Sequence, residues 1–161
     1  MPHHIAFISG PLNTGPNETY FHTHYAPIIE RAISRGDDFV IGPLPYGVDS
    51  DALVSPSRIT IFVTPAEDGI WRSRFHAAGV NIRVVGGQTT GERDAAMTAA
   101  STYDILRVRT IKEERAFYGG SWREGYVTNT ERNWKRRRGI SETDRVGAEE
   151  INQSVRMVHA S

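Results

Sequence analysis

Five short runs of apolar, often branched residues recur along the chain: HIAFISG (4–10), DFVIGP (38–43), RITIFVT (58–64), NIRVVGG (81–87) and YDILRVRT (103–110). Continuous apolar runs suit strands covered on both faces, and the helix-length segments between them suit crossovers joining parallel neighbours. The pattern predicts an α/β fold, a Rossmann-like three-layer sandwich built on a mainly parallel five-stranded sheet. Residues 1–118 carry the pattern, and 161 residues suit one compact domain. Residues 119–161 are polar and aromatic in patches, and predict a C-terminal helical extension packed on the domain or on a second subunit, with a mobile end.

Two crossovers announce where their helices begin. Thr64-Pro65-Ala66-Glu67 and Thr89-Thr90-Gly91-Glu92 both have capping-box spacing, the first with proline at the opening helical position. In the first crossover, Pro27 is expected to open a helix ending near Gly36, with 11–24 as a long loop.

Composition removes whole classes of function. Nineteen basic and nineteen acidic residues leave no net field to hold nucleic acid or an anionic membrane, so an anionic ligand must be met locally. No cysteine is present, which excludes disulfides, thiolate metal sites and a cysteine nucleophile. No run of apolar residues approaches the ~20 that a bilayer span needs, and a soluble, cytoplasmic protein is expected.

Ligands of open parallel sheets bind beyond the carboxyl ends of the strands, where loops turn into helix N-termini. Four exit loops follow from the strand assignment: SGPLNTG (9–15), GPLPYGVDSDAL (42–53), TPAEDG (64–69) and GGQTTGERD (86–94). Ser9, Gly10 and Pro11 join a hydroxyl to a residue that permits close backbone approach. Gly42, Pro43 and Gly47 allow sharp bends before Asp49 and Asp51, of which one caps a helix and the other is free for sugar hydroxyls. Gly87, Thr89, Thr90 and Asp94 surround Glu92 and Arg93 at the fourth exit. A guanidinium there joins a forked cation to outward N–H groups and suits a phosphate. The alternative for Glu92 is a capping role opposite Thr89.

The strand ending ISG, the GVDSDAL turn, and ERDAAM before an alanine-rich helix and YDILRV together resemble the SLOG superfamily over residues 4–110. That superfamily includes the lonely-guy phosphoribohydrolases and the DNA-processing protein A fold. Glu92-Arg93-Asp94-Ala95-Ala96-Met97 matches the phosphoribohydrolases' ERKAEM motif at four of six places, and the resemblance implies for Arg93 a role at the ribose phosphate and glycosidic centre. Asp94 stands where that family has lysine. The family's PGGxGTxxE motif is missing after YDILRVRT, where IKEERAFYGG follows with Glu113 and Glu114, so lonely-guy activity itself is not expected. The ISGP opening is also similar to nucleoside deoxyribosyltransferases.

The expected function is an enzyme cleaving or transferring at an N-glycosidic bond of a nucleoside or nucleotide. Asp49, Asp51 or Glu92 would serve the oxocarbenium-like centre or activate water, and Arg93 with the Ser9–Gly10 loop would hold sugar or phosphate. A non-catalytic nucleotide sensor and a structural or assembly protein are the alternatives. A homodimer is expected by analogy with related folds, and no cofactor is called for. His22 and His24 lack a third ligand for a metal. Tyr20, Phe21 and Tyr25 suit stacking on a nucleobase or, alternatively, packing of their loop on its own domain. NWKRRRG (133–139) reads as a solvated basic face rather than a nucleic-acid site.

Overall fold

A computed structural model of the chain describes residues 3–11, 13–43 and 56–160. Gly47, Asp49 and Asp51 lie outside the described residues. The sheet has five strands, β1 (Ile5–Ile8), β2 (Asp38–Ile41), β3 (Ile59–Val63), β4 (Asn81–Val84) and β5 (Tyr103–Ile105), all parallel and ordered β4-β3-β2-β1-β5. Alternation along the strands divides the core. Ala6, Ile8, Phe39, Ile41, Ile59, Ile61 and Val63 face one side with Ile29 and Ala32, while Phe7, Val40 and Phe62 face the other with Met97. The predicted three-layer α/β sandwich is therefore present.

Helices α1 (Thr19–His24), α2 (Ala26–Arg35) and α3 (Pro65–Ala77) precede α4 (Thr90–Ala100). Helix α2 ends where expected, with Gly36 in the left-handed conformation at φ 85°. Residues 11–24 differ from the expected loop. A turn at Pro16–Glu18 leads into α1, because Phe21 and Tyr25, four apart, are both buried and pin that turn to the sheet. Pro27 lies in the first turn of α2, where its missing N–H costs no bond, so the chain kinks at Tyr25 and resumes.

The alanines of α4 let it lie close on the sheet, with Ala96, Met97 and Ala100 against Phe7 and Phe62. Its entry turn depends on Gly87. A Cβ there would stand 2.3 Å from Glu92 Oε2 and 2.9 Å from Glu92 Cβ, while Glu92 Oε2 accepts the Gln88 N–H at 2.9 Å. Gly87→Ala should therefore displace Glu92 and cost about 1 kcal/mol, the scale of a lost helix cap, read by denaturant unfolding.

Past Ile105 the fifth strand leaves the ladder sooner than its apolar run implies. The carboxamide of Asn152 pairs with both backbone groups of Val108 at 2.8 Å, taking the place a neighbouring strand would fill. Asn152 belongs to α7 (Ala148–Ala160), which with α6 (Asn129–Arg138) follows α5 (Ile111–Tyr118). Leu106, Val108, Trp134, Ile151 and Val155 form a third apolar cluster, so the C-terminal segment shares a core with the end of β5.

The basic run of α6 is packed at Lys135 and Arg137, while Arg138 is exposed. Lys135 is 2% exposed and bonds Glu131 and the Glu142 carbonyl. Arg137 grips both carboxylate oxygens of the buried Asp104 at 2.8 and 3.0 Å, and Arg138 lies over the Trp134 ring. No helix among the described residues is long and apolar enough to cross a membrane.

Candidate functional site

Strand order reverses between β1 and β5, since β2, β3 and β4 are added on one side of β1 and the chain then returns to place β5 on the other. That topological switch is where open parallel sheets present a crevice. The two exits are tied by Tyr25, whose hydroxyl donates to the Ser9 carbonyl at 2.8 Å and accepts from Arg107 N at 3.0 Å. Beyond them opens a cleft of about 400 Å³.

Each wall has a local cause. Gly10 and Pro11 come from the β1 exit, and Arg107 and Arg109 from the β5 exit. Leu106 and Val108 turn into the third core cluster, so alternation sends the two arginines to the opposite, cleft side. Helix α5 brings Glu114, Phe117 and Tyr118, and starts there because Thr110 and Glu113 form a reciprocal capping box. The first turn of α6, capped by Thr128 accepting from Glu131 N, contributes Thr128, Asn129 and Thr130. Tyr20 and Tyr126 complete the aromatic walls.

Arg107 is fixed, with bidentate bonds to Glu113 at 3.0 and 2.8 Å and a bond to the Tyr20 hydroxyl at 3.1 Å. That pairing holds the Glu113 carboxyl down to about 2, helped by the Thr110 hydrogen bonds. A depressed folded-state value means the pair stabilises the protein above the ordinary glutamate range and loses that contribution as pH falls from about 4.5 towards 2. The acid limb of a stability–pH curve should therefore flatten in Glu113→Gln, measured by urea midpoints between those values.

Arg109 is different. Its guanidinium lies 4.7 Å from the Tyr20 ring centre and 4.1 Å from that of Phe117, and one N–H donates to the Asn13 carbonyl at 2.7 Å. Among the described residues no carboxylate stands within ion-pair distance of it. It is a held cation with donors to offer. Burial, with the nearby Glu131 charge, raises the Glu114 carboxyl against the opposing pull of a Trp122 hydrogen bond and Arg109. Burial likewise raises the Tyr20 hydroxyl.

Beside the cleft is a smaller compartment of about 160 Å³, sharing Gly10, Asn129 and Thr130 in its lining. Here the structure brings together Ser9, Gly10, Thr90, Arg93 and Asp94, which sequence reasoning selected from two separate exit loops. Arg93 and Asp94 are 5% and 7% exposed. Arg93 donates through Nη1 to Glu67 and through Nε and Nη2 to Asp94 at 3.3 and 3.2 Å. Glu67 also closes the capping box of α3, so Arg93 locks the first turns of α3 and α4 together. Burial raises the Asp94 carboxyl, opposed by Arg93 and by Asn133.

The remaining selected residues sit elsewhere. Thr89 caps α4 by accepting from Glu92 N, Glu92 and Gly87 shape that turn, and Gly42 and Pro43 are buried after β2. Of the aromatic trio only Tyr20 reaches the cleft, since Phe21 and Tyr25 are core. No three histidine, aspartate or glutamate side chains converge as a metal site among the described residues.

Arg109, Glu114, Phe117 and the α6 turn were not selected from sequence. Two signals mark them: Thr110-x-x-Glu113 and Thr128-x-x-Glu131, capping patterns placing helix starts beside the β5 exit. Comparison with protein-family models, with curated proteins and with solved structures returns no match.

Proposed function

We propose that the chain binds a nucleoside or nucleotide in the cleft between β1 and β5 and acts on its N-glycosidic bond. The observation that carries the reading is the switch-point cleft itself, walled by Tyr20, Phe117, Tyr118 and Tyr126 and holding a cation, Arg109, with no carboxylate within ion-pair distance among the described residues. A planar base suits the aromatic walls, and a guanidinium seated on rings stacks on a base or meets its acceptor edge.

Two carboxylates face the ligand space among the described residues, Asp94 in the inner compartment and Glu114 in the cleft. In this reading Glu114, raised by burial, protonates the base as the C–N bond breaks with its electron pair. Asp94 stabilises the oxocarbenium-like sugar; water adds its oxygen to the anomeric carbon and its proton returns to Glu114, giving free base and free sugar. Arg93 positions Asp94. The SLOG resemblance of residues 4–110 supports the same chemistry class.

The test is chromatography of a pooled set of nucleosides and nucleotides incubated with the protein. Free base should appear, and Glu114→Gln should slow its release by at least about 100-fold, the scale of a lost general acid. Unchanged ligand retained on the protein, with no base released, overturns the enzymatic reading in favour of a sensor. That second reading draws on the C-terminal helices, whose α6 first turn lines the cleft and whose core is shared with β5, so occupancy would reach α6 and α7 directly.

A further inference from the structure

The inner compartment has a chemical bias of its own. Its floor is apolar, from Phe7 and Met97. Of its polar lining Thr90 and Asn129 are exposed, while Ser9 is 6% exposed, Asp94 7%, Thr130 5% and Asn133 2%. Among these, Ser9 Oγ is buried with no hydrogen-bond partner in the described structure. A buried hydroxyl without a partner costs on the order of 1–3 kcal/mol, so a ligand that supplies one gains at this point.

Charge decides what kind of group that is. One guanidinium, Arg93, stands against two carboxylates, Glu67 and Asp94, and all three of its nitrogens donate to them. The other cation acting on Asp94 is Arg136, which donates to Asn133 Oδ1 at 2.6 Å. Arg93 has its nitrogens taken by carboxylates, and Arg136 is not part of the compartment's lining. An incoming phosphate would meet Asp94 at close range and would have to break the Arg93 pairs to find a counter-charge. A hydroxyl would instead donate to Asp94 and exchange a hydrogen bond with Ser9.

We propose that this compartment is a sugar subsite that takes the hydroxyl-bearing end of an unphosphorylated nucleoside, with Asp94 and Ser9 as its hydrogen-bond partners, and refuses phosphate. The assignment rests on the nucleoside reading of the cleft for its substrate class. The two spaces share Gly10, Asn129 and Thr130 in their walls, so a nucleoside with its base in the aromatic cleft would have its sugar beside the compartment. Asp94 then makes the site one for nucleosides instead of their 5′-phosphates.

The experiment is amide-resolved NMR titration of the full chain with D-ribose and, separately, with inorganic phosphate at equal concentration. Ribose should move the Ser9, Gly10, Thr130 and Asn133 amides and phosphate should leave them in place. Ser9→Ala, which keeps the Arg93 cluster intact, should weaken the ribose response by about tenfold, the effect of one lost hydrogen bond in a buried site. Asp94→Asn should weaken it further, and the unperturbed remainder of each spectrum reports that the variant is folded. Phosphate shifting these four amides, or ribose leaving them unmoved, overturns the subsite. Ribose binding here without base release from any nucleoside keeps the subsite and removes the glycosidic reading. Base release from 5′-monophosphates as fast as from nucleosides does the reverse.

Discussion

Trp134→Ala should destabilise the whole protein by about 3–5 kcal/mol, the range for emptying a large aromatic from a core, and lower the midpoint of thermal unfolding by about 10 °C. Trp134 is 3% exposed, packs with Leu106, Val108, Ile151 and Val155, and donates its indole N–H to Ser154 at 2.9 Å. Small domains hold only about 5–15 kcal/mol in total. Because the cluster joins the end of β5 to α6 and α7, the loss should appear as one cooperative transition by both calorimetry and circular dichroism. A separate early transition of the C-terminal segment, with the rest unfolding as before, would mean that α6 and α7 are an appendage.

Arg137→Ala should cost about 3 kcal/mol, the low end for breaking a buried pair, because the Arg137 side chain keeps 20% of its surface exposed. The arginine holds Asp104, whose side chain is 3% exposed, through two bonds, and also donates to Ser101 and to the Thr98 carbonyl. Burial already raises the Asp104 carboxyl, and Arg137 is the main force lowering it. Pairing Arg137→Ala with Asp104→Asn should recover part of the loss, since the uncompensated charge is then gone. Urea denaturation of the two single variants and the double variant measures the coupling; strict additivity would show that the pair does not act as a unit.

The sheet was legible because β1, β2 and β3 are largely buried and so interrupt the polar texture of the chain as solid apolar runs, whereas β4, at the edge, is mostly exposed. Helix starts at Thr64 and Thr89 were legible because capping is local chemistry, although only Thr64 and Glu67 form the full reciprocal box and the Glu92 carboxylate accepts from Gln88 N instead. The site was only half legible, for three physical reasons. Residues 106–109 alternate apolar and charged, which reads as a half-exposed strand; what decides their role is that Leu106 and Val108 face Trp134 and send the arginines into the cleft. Glu92-Arg93-Asp94 looks like any solvated first turn, and only the neighbouring Glu67 and Asn133, far away in sequence, make Arg93 and Asp94 buried. The run from Asn133 to Arg138 has almost no apolar periodicity, since apart from Trp134 its burial comes from ion pairs and hydrogen bonds.

The central claim is that the ligand enters between β1 and β5 and is met there by Arg109. Native mass spectrometry of the wild-type chain against pooled nucleosides and nucleotides tests it most directly, alongside Arg109→Ala and, as a control, Arg123→Ala, an exposed arginine bonded only to nearby carbonyls. The expected result is a bound mass on the wild type and on Arg123→Ala that falls by at least about tenfold on Arg109→Ala, the loss of roughly one charge-assisted contact. No bound mass on the wild type, or one that Arg109→Ala leaves unchanged, would contradict it.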